Sequence, residues 1–160
     1  MRETIDQAKT KFLYAKGRIE QSLRTTPDDR VNWSPSPTAR TPAQQVAHAA
    51  YAVKSLNETL SGRPFAIKTT EEADRFFREW ERQFTSREHV SALLEENCAA
   101  YLAWLEGLTP ECLQSPVELP FSLGTIPAAM GLGFPADHLL WHAAQIDYIQ
   151  TIYGDLDWYQ

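Results

Sequence analysis

Two histidines near the end of the chain have the spacing of metal ligands on one helix. His138 and His142 lie four residues apart in FPADHLLWHAAQIDYIQTIYGD, a stretch with the apolar periodicity of a helix. Four residues make about one helical turn, so both imidazoles project from the same side with a rise of ~6 Å between them. The spacing therefore suits two imidazole nitrogens that share one divalent metal ion.

A third histidine, His48, lies in an earlier helical stretch, TPAQQVAHAAYAVKSLNETL. If this helix packs beside His138 and His142, the three imidazoles form a facial site whose remaining positions are open to water or substrate. Open sites of this kind are typical of catalytic metal centres. The alternative is that the histidines are ordinary hydrogen-bonded residues, because the late pair lacks the glutamate of the H-E-x-x-H motif.

Other candidate side chains have simpler structural explanations. Asp137 is a favourable negative charge in the first turn of its helix, so a ligand role is the weaker hypothesis. Cys98 and Cys112 are far from a C-x-x-C spacing and are typical of reduced thiols in a cytoplasmic protein. Trp141 and Gln145 could shape a pocket, although packing is the favoured interpretation, because tryptophan on a helix is mostly a core residue.

Two amphipathic helices are expected in the first part of the chain. The first covers residues 2 to 24, where apolar side chains recur at steps of three and four. The second begins with a predicted capping box, in which Thr41 is the N-cap, Pro42 suits the first helical position and Gln44 completes the box. Its small and apolar composition predicts burial, so we do not expect His48 to be merely solvated.

The middle of the chain predicts a short aromatic helix in EEADRFFREWERQF, with a packing role, and then a third long helix from about Ser86. A capping box from Thr85 to Glu88 is expected to begin the long helix. His89 falls on its polar side and is expected to be solvated. These patterns give the histidine-bearing helices neighbours to pack against.

Residues 107 to 135 hold five of the ten prolines and four of the seven glycines, which predicts an irregular crossing. A short strand pair around VELPF and a brief helix from Pro127 are expected within it. The last helix begins after Pro135, with His138 and His142 on its core-facing side. Four principal helices without a convincing sheet indicate an all-α four-helix bundle, whose second and fourth helices supply a buried site.

The composition limits the classes of function. A chain of 160 residues with 43% hydrophobic and 22% charged residues is most simply one globular domain, residues 1–160. Fifteen basic and 21 acidic residues give a net charge of −6 with no basic stripe, which argues against nucleic acid as a partner. Neither a signal peptide nor a membrane span is expected, and we predict a cytoplasmic protein.

Taken in order, these features resemble the DinB/YfiT-like superfamily of metalloenzymes. The resemblance depends on four segments, which together span most of the chain: the loop LRTTPDDRVNWSPSPTARTP, the histidine in AQQVAHAAYAVKSLNETLSG, the crossing near PVELPFSLGTIPAAM and the closing H-x-x-x-H in DHLLWHAAQIDYIQTIYGD. It implies an up-down-down-up four-helix bundle that is often a homodimer. It also implies a divalent metal ion, such as nickel or zinc, held by His48, His138 and His142.

The resemblance further implies an activity toward a small-molecule substrate. Family members include transferases and isomerases that use low-molecular-weight thiols such as bacillithiol, mycothiol or glutathione, and an open position on a metal ion favours deprotonation of a thiol. The same ligands would serve a metal-dependent hydrolase, and a non-catalytic, stress-associated bundle that binds a small ligand is a third hypothesis. The sequence identifies no further catalytic residue, and no basic cluster stands beside the histidines to hold an anionic thiol cofactor.

Overall fold

The fold is known from a computed structural model, which describes residues 2–157 and Tyr159. Its secondary structure is mostly helical, as the apolar periodicity predicts. The elements are α1 (Arg2–Thr25), α2 (Pro42–Leu60), α3 (Thr70–Glu81), α4 (Arg87–Glu106), α5 (Pro110–Gln114), β1 (Pro116–Glu118), β2 (Thr125–Pro127), α6 (Ala128–Gly131) and α7 (Phe134–Ile152). The long helices α1, α2, α4 and α7 pack around one hydrophobic core.

Helices α1 and α7 run parallel to each other. Near the start of both helices, Lys11 Nζ lies 2.6 Å from Asp137 Oδ1. Further along both, the Gln150 side-chain amide donates to the Ser22 carbonyl over 3.0 Å. Residue numbers thus increase together along the two helices, although more than 100 residues separate them in sequence.

Helix α4 runs antiparallel to α1. Lys9 Nζ lies 2.5 Å from Glu106 Oε1, near the end of α4. Lys16 Nζ, two turns further along α1, lies 2.7 Å from Glu95 Oε2, which is earlier in α4. The order of the partners is therefore reversed along the two helices.

Helix α2 runs antiparallel to α7. Its first half contacts α7, where His142 Nδ1 lies 2.6 Å from Gln45 Oε1. Its last residue, Leu60, lies beside Gly131, which precedes α7. Because α1 and α7 point one way and α2 and α4 the other, the bundle has the predicted up-down-down-up topology.

The predicted N-terminus of α2 is confirmed, whereas that of α4 is wrong by one residue. The Thr41 side chain accepts from the Gln44 backbone N–H, and the Gln44 side chain accepts from the Thr41 N–H. In α4, however, the N-cap is Ser86, whose hydroxyl accepts from the His89 N–H. Thr85 lies in the preceding loop, where its carbonyl accepts from the Asn32 side chain.

The connection between α4 and α7 is irregular, as expected. Strands β1 and β2 form an antiparallel pair in which Val117 lies opposite Ile126. Helix α6 follows directly after Pro127, its N-cap. The buried Tyr101 hydroxyl of α4 donates to the Leu132 carbonyl over 2.6 Å, which fastens this connection to the bundle.

The core faces of the helices agree with the expected periodicity. Phe12 and Ile19 of α1 and Ile146 of α7 are fully buried, and so is most of the alanine-rich first half of α2. Small side chains on α2 allow its neighbours to approach closely. Among the described residues, no helix is both long and apolar enough to cross a membrane.

Candidate metal centre

Helices α2 and α7 bring the three predicted ligands together. The ring centroid of His48 lies 5.4 Å from that of His138 and 4.8 Å from that of His142. The Nε2 atoms of His138 and His142 are 3.0 Å apart. Each histidine offers one nitrogen to a group in which all three nitrogens lie within 4.8 Å of one another. The cluster is therefore present, and its binding of a metal ion stays a prediction.

The dimensions of the cluster fit a single divalent ion. Imidazole nitrogens bind zinc at about 2.0–2.1 Å, so two such nitrogens are about 3 Å apart when they subtend a right angle at the ion. The two Nε2 atoms of α7 have this separation. All three nitrogens lie within 4.8 Å of one another, a limit above the ~4.2 Å span of two nitrogens on opposite sides of one ion, so binding by all three would need the rings to move closer together.

Two of the histidines have an oxygen partner on the nitrogen that faces away from the cluster. His142 Nδ1 lies 2.6 Å from Gln45 Oε1, and His48 Nδ1 lies 2.6 Å from Glu81 Oε1. Both oxygens are acceptors, so each ring carries its proton on Nδ1 and leaves the Nε2 lone pair available. Metal-ligating histidines in proteins almost always have such a partner on the second nitrogen.

Glu81 is a buried carboxylate, and it belongs to the site although the sequence analysis did not single it out. It ends α3 and is 1% exposed. Its second oxygen, Oε2, accepts from Arg40 Nε over 2.6 Å. A sequence signal existed: Glu81 follows Phe77 by four residues and precedes Phe84 by three, which places a carboxylate on the aromatic side of the segment. Arg40, in the loop before α2, has no comparable signal.

The expectation that no basic cluster borders the site is correct only in part. Arg40 is a single guanidinium, and it is close enough to lower the pKa of both His138 and His142. It is mostly buried, and Glu81 and Asp74 are its ionic partners. The sequence could not reveal it because it lies 41 residues from Glu81 and depends on how the loop folds back.

Burial keeps the α7 histidines neutral. Burial first, and then electrostatic interactions with His48 and Arg40, lower the pKa of His138 to about 4. The same causes, together with His138, lower the pKa of His142 to about 2. Burial is the main cause of the lowered pKa of His138, which keeps this imidazole neutral. Neutral imidazole is the form that coordinates metal ions.

Two aromatic side chains flank the cluster. The Phe77 ring of α3 lies 4.7 Å from the His48 ring, and the Trp141 ring lies 5.8 Å from the His138 ring. Trp141 is 66% exposed, so the interpretation of this residue as a packing residue is wrong. Gln145 is also exposed. The core of α7 is filled by smaller side chains on its opposite side, which leaves Trp141 at the rim of the site.

The remaining candidates lie outside the cluster. Asp137 pairs with Lys11 of α1 and is not a member of it. Cys98 and Cys112 are both free thiols, the former buried and the latter exposed. His89 is exposed, as predicted. Of the four histidines in the chain, the cluster therefore takes the three that the sequence analysis selected.

Comparisons with known proteins agree with this architecture. The family model described as the DinB superfamily matches residues 12–146. YfiT from Bacillus subtilis, described as a probable metal-dependent hydrolase with an unusual four-helix bundle topology, superposes with a TM-score of 0.73 at 18% identity, over 96% of this chain and 90% of that one. No curated protein matches the sequence significantly.

Two other solved structures share the fold. The mycothiol-dependent maleylpyruvate isomerase has a TM-score of 0.71 at 16% identity, over 89% of this chain. The present chain spans only 60% of the length of that isomerase. The colibactin self-resistance protein ClbS, solved in complex with double-stranded DNA, has a TM-score of 0.67 at 12% identity, over 92% of this chain and 95% of that one. At these identities the likeness concerns the fold alone.

Proposed function

Because this chain belongs to the DinB superfamily, we propose that it is a divalent-metal-dependent enzyme whose ligands are His48, His138 and His142. Nickel and zinc are the candidate ions, since both accept imidazole nitrogen. With only three protein ligands, a metal ion would keep positions for a substrate, which is the arrangement of catalytic sites. The substrate is proposed to be a small molecule.

The observation that carries the proposal is the pairing of the outward-facing Nδ1 atoms of His48 and His142 with oxygen acceptors. If the histidines were close together only by chance, their outward-facing nitrogens would not be expected to have hydrogen-bond acceptors that fix the ring protons. Here Gln45 and Glu81 hold the protons of His142 and His48 on Nδ1, so that Nε2 of both rings is free. Because Nε2 of His142 carries no proton, the 3.0 Å contact with His138 is a hydrogen bond donated by Nε2–H of His138, and metal binding would require His138 to carry its proton on Nδ1 instead.

We propose thiol-dependent transfer as the reaction class. When bound, a divalent ion supplies a Lewis acid that favours deprotonation of a thiol. The three histidines hold the ion as neutral ligands, so the site keeps its full positive charge. Phe77 and Trp141 place apolar surface beside the histidine cluster, which favours an electrophile with an apolar part.

Hydrolysis is the second candidate reaction, and it needs the same three ligands. The Lewis acid that favours thiolate formation equally favours deprotonation of water. The full-length superposition on YfiT, described as a probable metal-dependent hydrolase, supports this alternative. A direct comparison of thiol consumption with ester hydrolysis separates the two reactions. Loss of a thiol together with an electrophile supports transfer, whereas turnover without a thiol supports hydrolysis.

The metal content of untagged protein tests the proposal. We expect about one nickel or zinc ion per native chain by elemental mass spectrometry, because the site offers one set of three ligands. His142→Ala should lose most of the metal and keep its helical circular dichroism. His89→Ala is the matched control, since it removes the exposed histidine outside the cluster. A metal-free native protein that takes up neither ion on incubation would contradict the proposal and favour a non-catalytic, ligand-binding bundle.

We also propose that the chain acts as a homodimer, as the family resemblance implies. We further propose that nucleic acid is not a partner. The net charge of −6 opposes binding to phosphates. Several basic side chains, among them Lys9, Lys16 and Arg18, are moreover engaged with carboxylates. Light scattering after size-exclusion chromatography should give twice the chain mass, and titration with labelled duplex DNA at low salt should give no saturable binding.

A further inference from the structure

We propose that Glu81 is the positioning residue of the metal centre, which acts on the ion through His48, with Arg40 as its charge partner. The inference rests on the proposed function, because it concerns the same three ligands. It assigns a role in the site to α3 and to the loop before α2. Neither of these elements carries a histidine of the cluster.

The geometry of the Glu81 carboxylate supports this role. Oε1 lies 2.6 Å from His48 Nδ1, and Oε2 lies 2.6 Å from Arg40 Nε. The carboxylate is 1% exposed, while the side chains of His48 and Arg40 are 13% and 18% exposed. Each oxygen thus has its own donor in a setting with little access for water. A buried carboxylate without partners would be strongly unfavourable.

Such a contact controls the chemistry of His48 in two ways. It retains the proton on Nδ1, so that the Nε2 lone pair faces the other two histidines. It also holds the His48 ring in one orientation. The entropic cost of fixing this ring when a metal ion binds is therefore smaller. The positive charge of Arg40 compensates the carboxylate. The carboxylate can therefore remain buried.

A purely structural role for Glu81, as the attachment of α3 to the bundle, is the competing explanation. Helix α3 has a separate attachment, however. The ring of Tyr51 on α2 lies 5.2 Å from Phe77 and 4.9 Å from Trp80. These aromatic contacts hold α3 on α2 without the carboxylate. We therefore expect a substitution of Glu81 to affect metal binding more than the attachment of α3.

The first test is zinc affinity of Glu81→Gln, measured by calorimetry on the full chain. The glutamine has one oxygen and cannot accept from both His48 and Arg40. We expect affinity to fall by about 10–100-fold, the usual effect of losing a partner of a ligating histidine. Glu79→Gln is the matched control, because Glu79 is an exposed carboxylate on the same helix. Equal zinc affinity of Glu81→Gln and the native chain would overturn the inference.

The second test separates positioning from general stability by a double-mutant cycle. If Glu81 acts through His48, the loss caused by Glu81→Gln should disappear in a His48→Ala background. An equal loss of zinc affinity in both backgrounds would show that the carboxylate affects the site only through the fold, and would overturn the proposal.

The third test needs neither a variant nor a metal. Nitrogen-15 NMR of the native, metal-free protein should show His48 protonated at Nδ1, and a His48 protonated at Nε2 would overturn the assignment even if Glu81→Gln did not fold. Failure of the native chain to bind zinc would instead contradict the proposed metal dependence, and the tautomer measurement would still decide the Glu81–His48 contact.

Discussion

A single hydrogen bond fixes the position of one ring proton in both His48 and His142. Each presents Nδ1 to an oxygen, of Glu81 and of Gln45 respectively. Both partners come from outside the H-x-x-x-H pair, and the geometry of each contact selects a tautomer. Because neutral imidazoles are buried in the folded state, we expect the stability of the metal-free protein to be sensitive to acid.

We predict that the metal-free protein loses stability as the pH falls from 7 to 5.5. The folded-state pKa values of His138 and His142 are lowered to about 4 and about 2 by burial and by electrostatic interactions with the neighbouring histidines and Arg40. Between the unfolded value of about 6.5 and those values, the unfolded chain binds protons that the folded chain does not. The contribution of each histidine to the free energy of unfolding is therefore fully present above the unfolded pKa. As the pH falls below that value, it decreases by up to ~1.4 kcal/mol per pH unit.

Urea unfolding of the metal-free protein at pH 7 and pH 5.5 checks this sign. The variant His142→Gln should show a shallower dependence, because glutamine does not titrate. Equal stability of the native protein at the two pH values would contradict the prediction. The window lies above the usual pKa of carboxylates, so acidic residues contribute little to the difference.

The two thiols should differ in reactivity in the folded protein. Burial raises the pKa of Cys98 to about 12, whereas a hydrogen bond from Thr109 lowers the pKa of the exposed Cys112. Because thiolate is the nucleophile, an aromatic disulfide reagent at pH 7 should modify Cys112 quickly and leave Cys98 intact. Cys112→Ser should abolish the fast phase, and denaturant should expose Cys98. Fast modification of the Cys112→Ser variant would show that α4 does not bury its thiol.

At the scale of the elements, close helix approach depends on small side chains. The first half of α2 is rich in alanine, and its alanines at positions 43, 47, 49 and 50 are fully buried. At the other end of α2, Leu60 meets α6 at Gly131, where an added Cβ would lie 2.4 Å from Leu60 Cδ2. This contact supports the crossing that leads to α7, so it indirectly sets the position of the histidine pair.

Two glycine substitutions should change stability in opposite directions. Gly131→Ala forces a methyl group against the buried Leu60 and should destabilise the protein by about 1–3 kcal/mol. Gly17→Ala is the matched control, since Gly17 is exposed within α1 and an added Cβ would meet nothing within 4 Å. It should stabilise α1 by roughly 0.5–1 kcal/mol. Urea denaturation measures both, and a stabilising Gly131→Ala would contradict the close packing of α2 on α6.

At the scale of the whole molecule, the topology places the site between distant parts of the chain. Helices α2 and α4 point the same way, so the chain needs a long connection between them, and residues 61–86, which contain α3, provide it. Gln45 and His142 are 97 residues apart in sequence, and His48 and Glu81 are 33 apart. A metal ion would therefore join α2 and α7 directly, and α3 through Glu81.

Because the folded state alone assembles the ligands, divalent metal should raise the melting temperature. At a free zinc concentration 100 times the dissociation constant, the gain is about 2.7 kcal/mol, or roughly 5–10 °C for a chain of this size. His138→Ala should show little shift, whereas His89→Ala should behave as the native protein does. Differential scanning calorimetry with and without zinc makes the comparison. An equal shift for His138→Ala would place metal binding outside the cluster.

The local properties of this protein were determined by the sequence itself. Apolar periodicity predicts the long helices, because a helix must bury one side, and Thr41 with Gln44 marks the start of α2 through contacts three residues apart. The spacing of His138 and His142 already placed both on one side of α7. The topology was anticipated only through the family resemblance.

The tertiary structure alone decided the surroundings of the histidines. The structure places Glu81 and Arg40 beside the histidines, which the sequence did not predict. It also shows that Trp141 is exposed at the rim of the site and that the N-cap of α4 is Ser86, where packing in the core and a Thr85 cap were expected. The positions of Glu81 and Arg40 beside the histidines depend on contacts between residues far apart in sequence. Local periodicity reports which side of a helix is buried. It carries no information about which polar group from another element will meet it there.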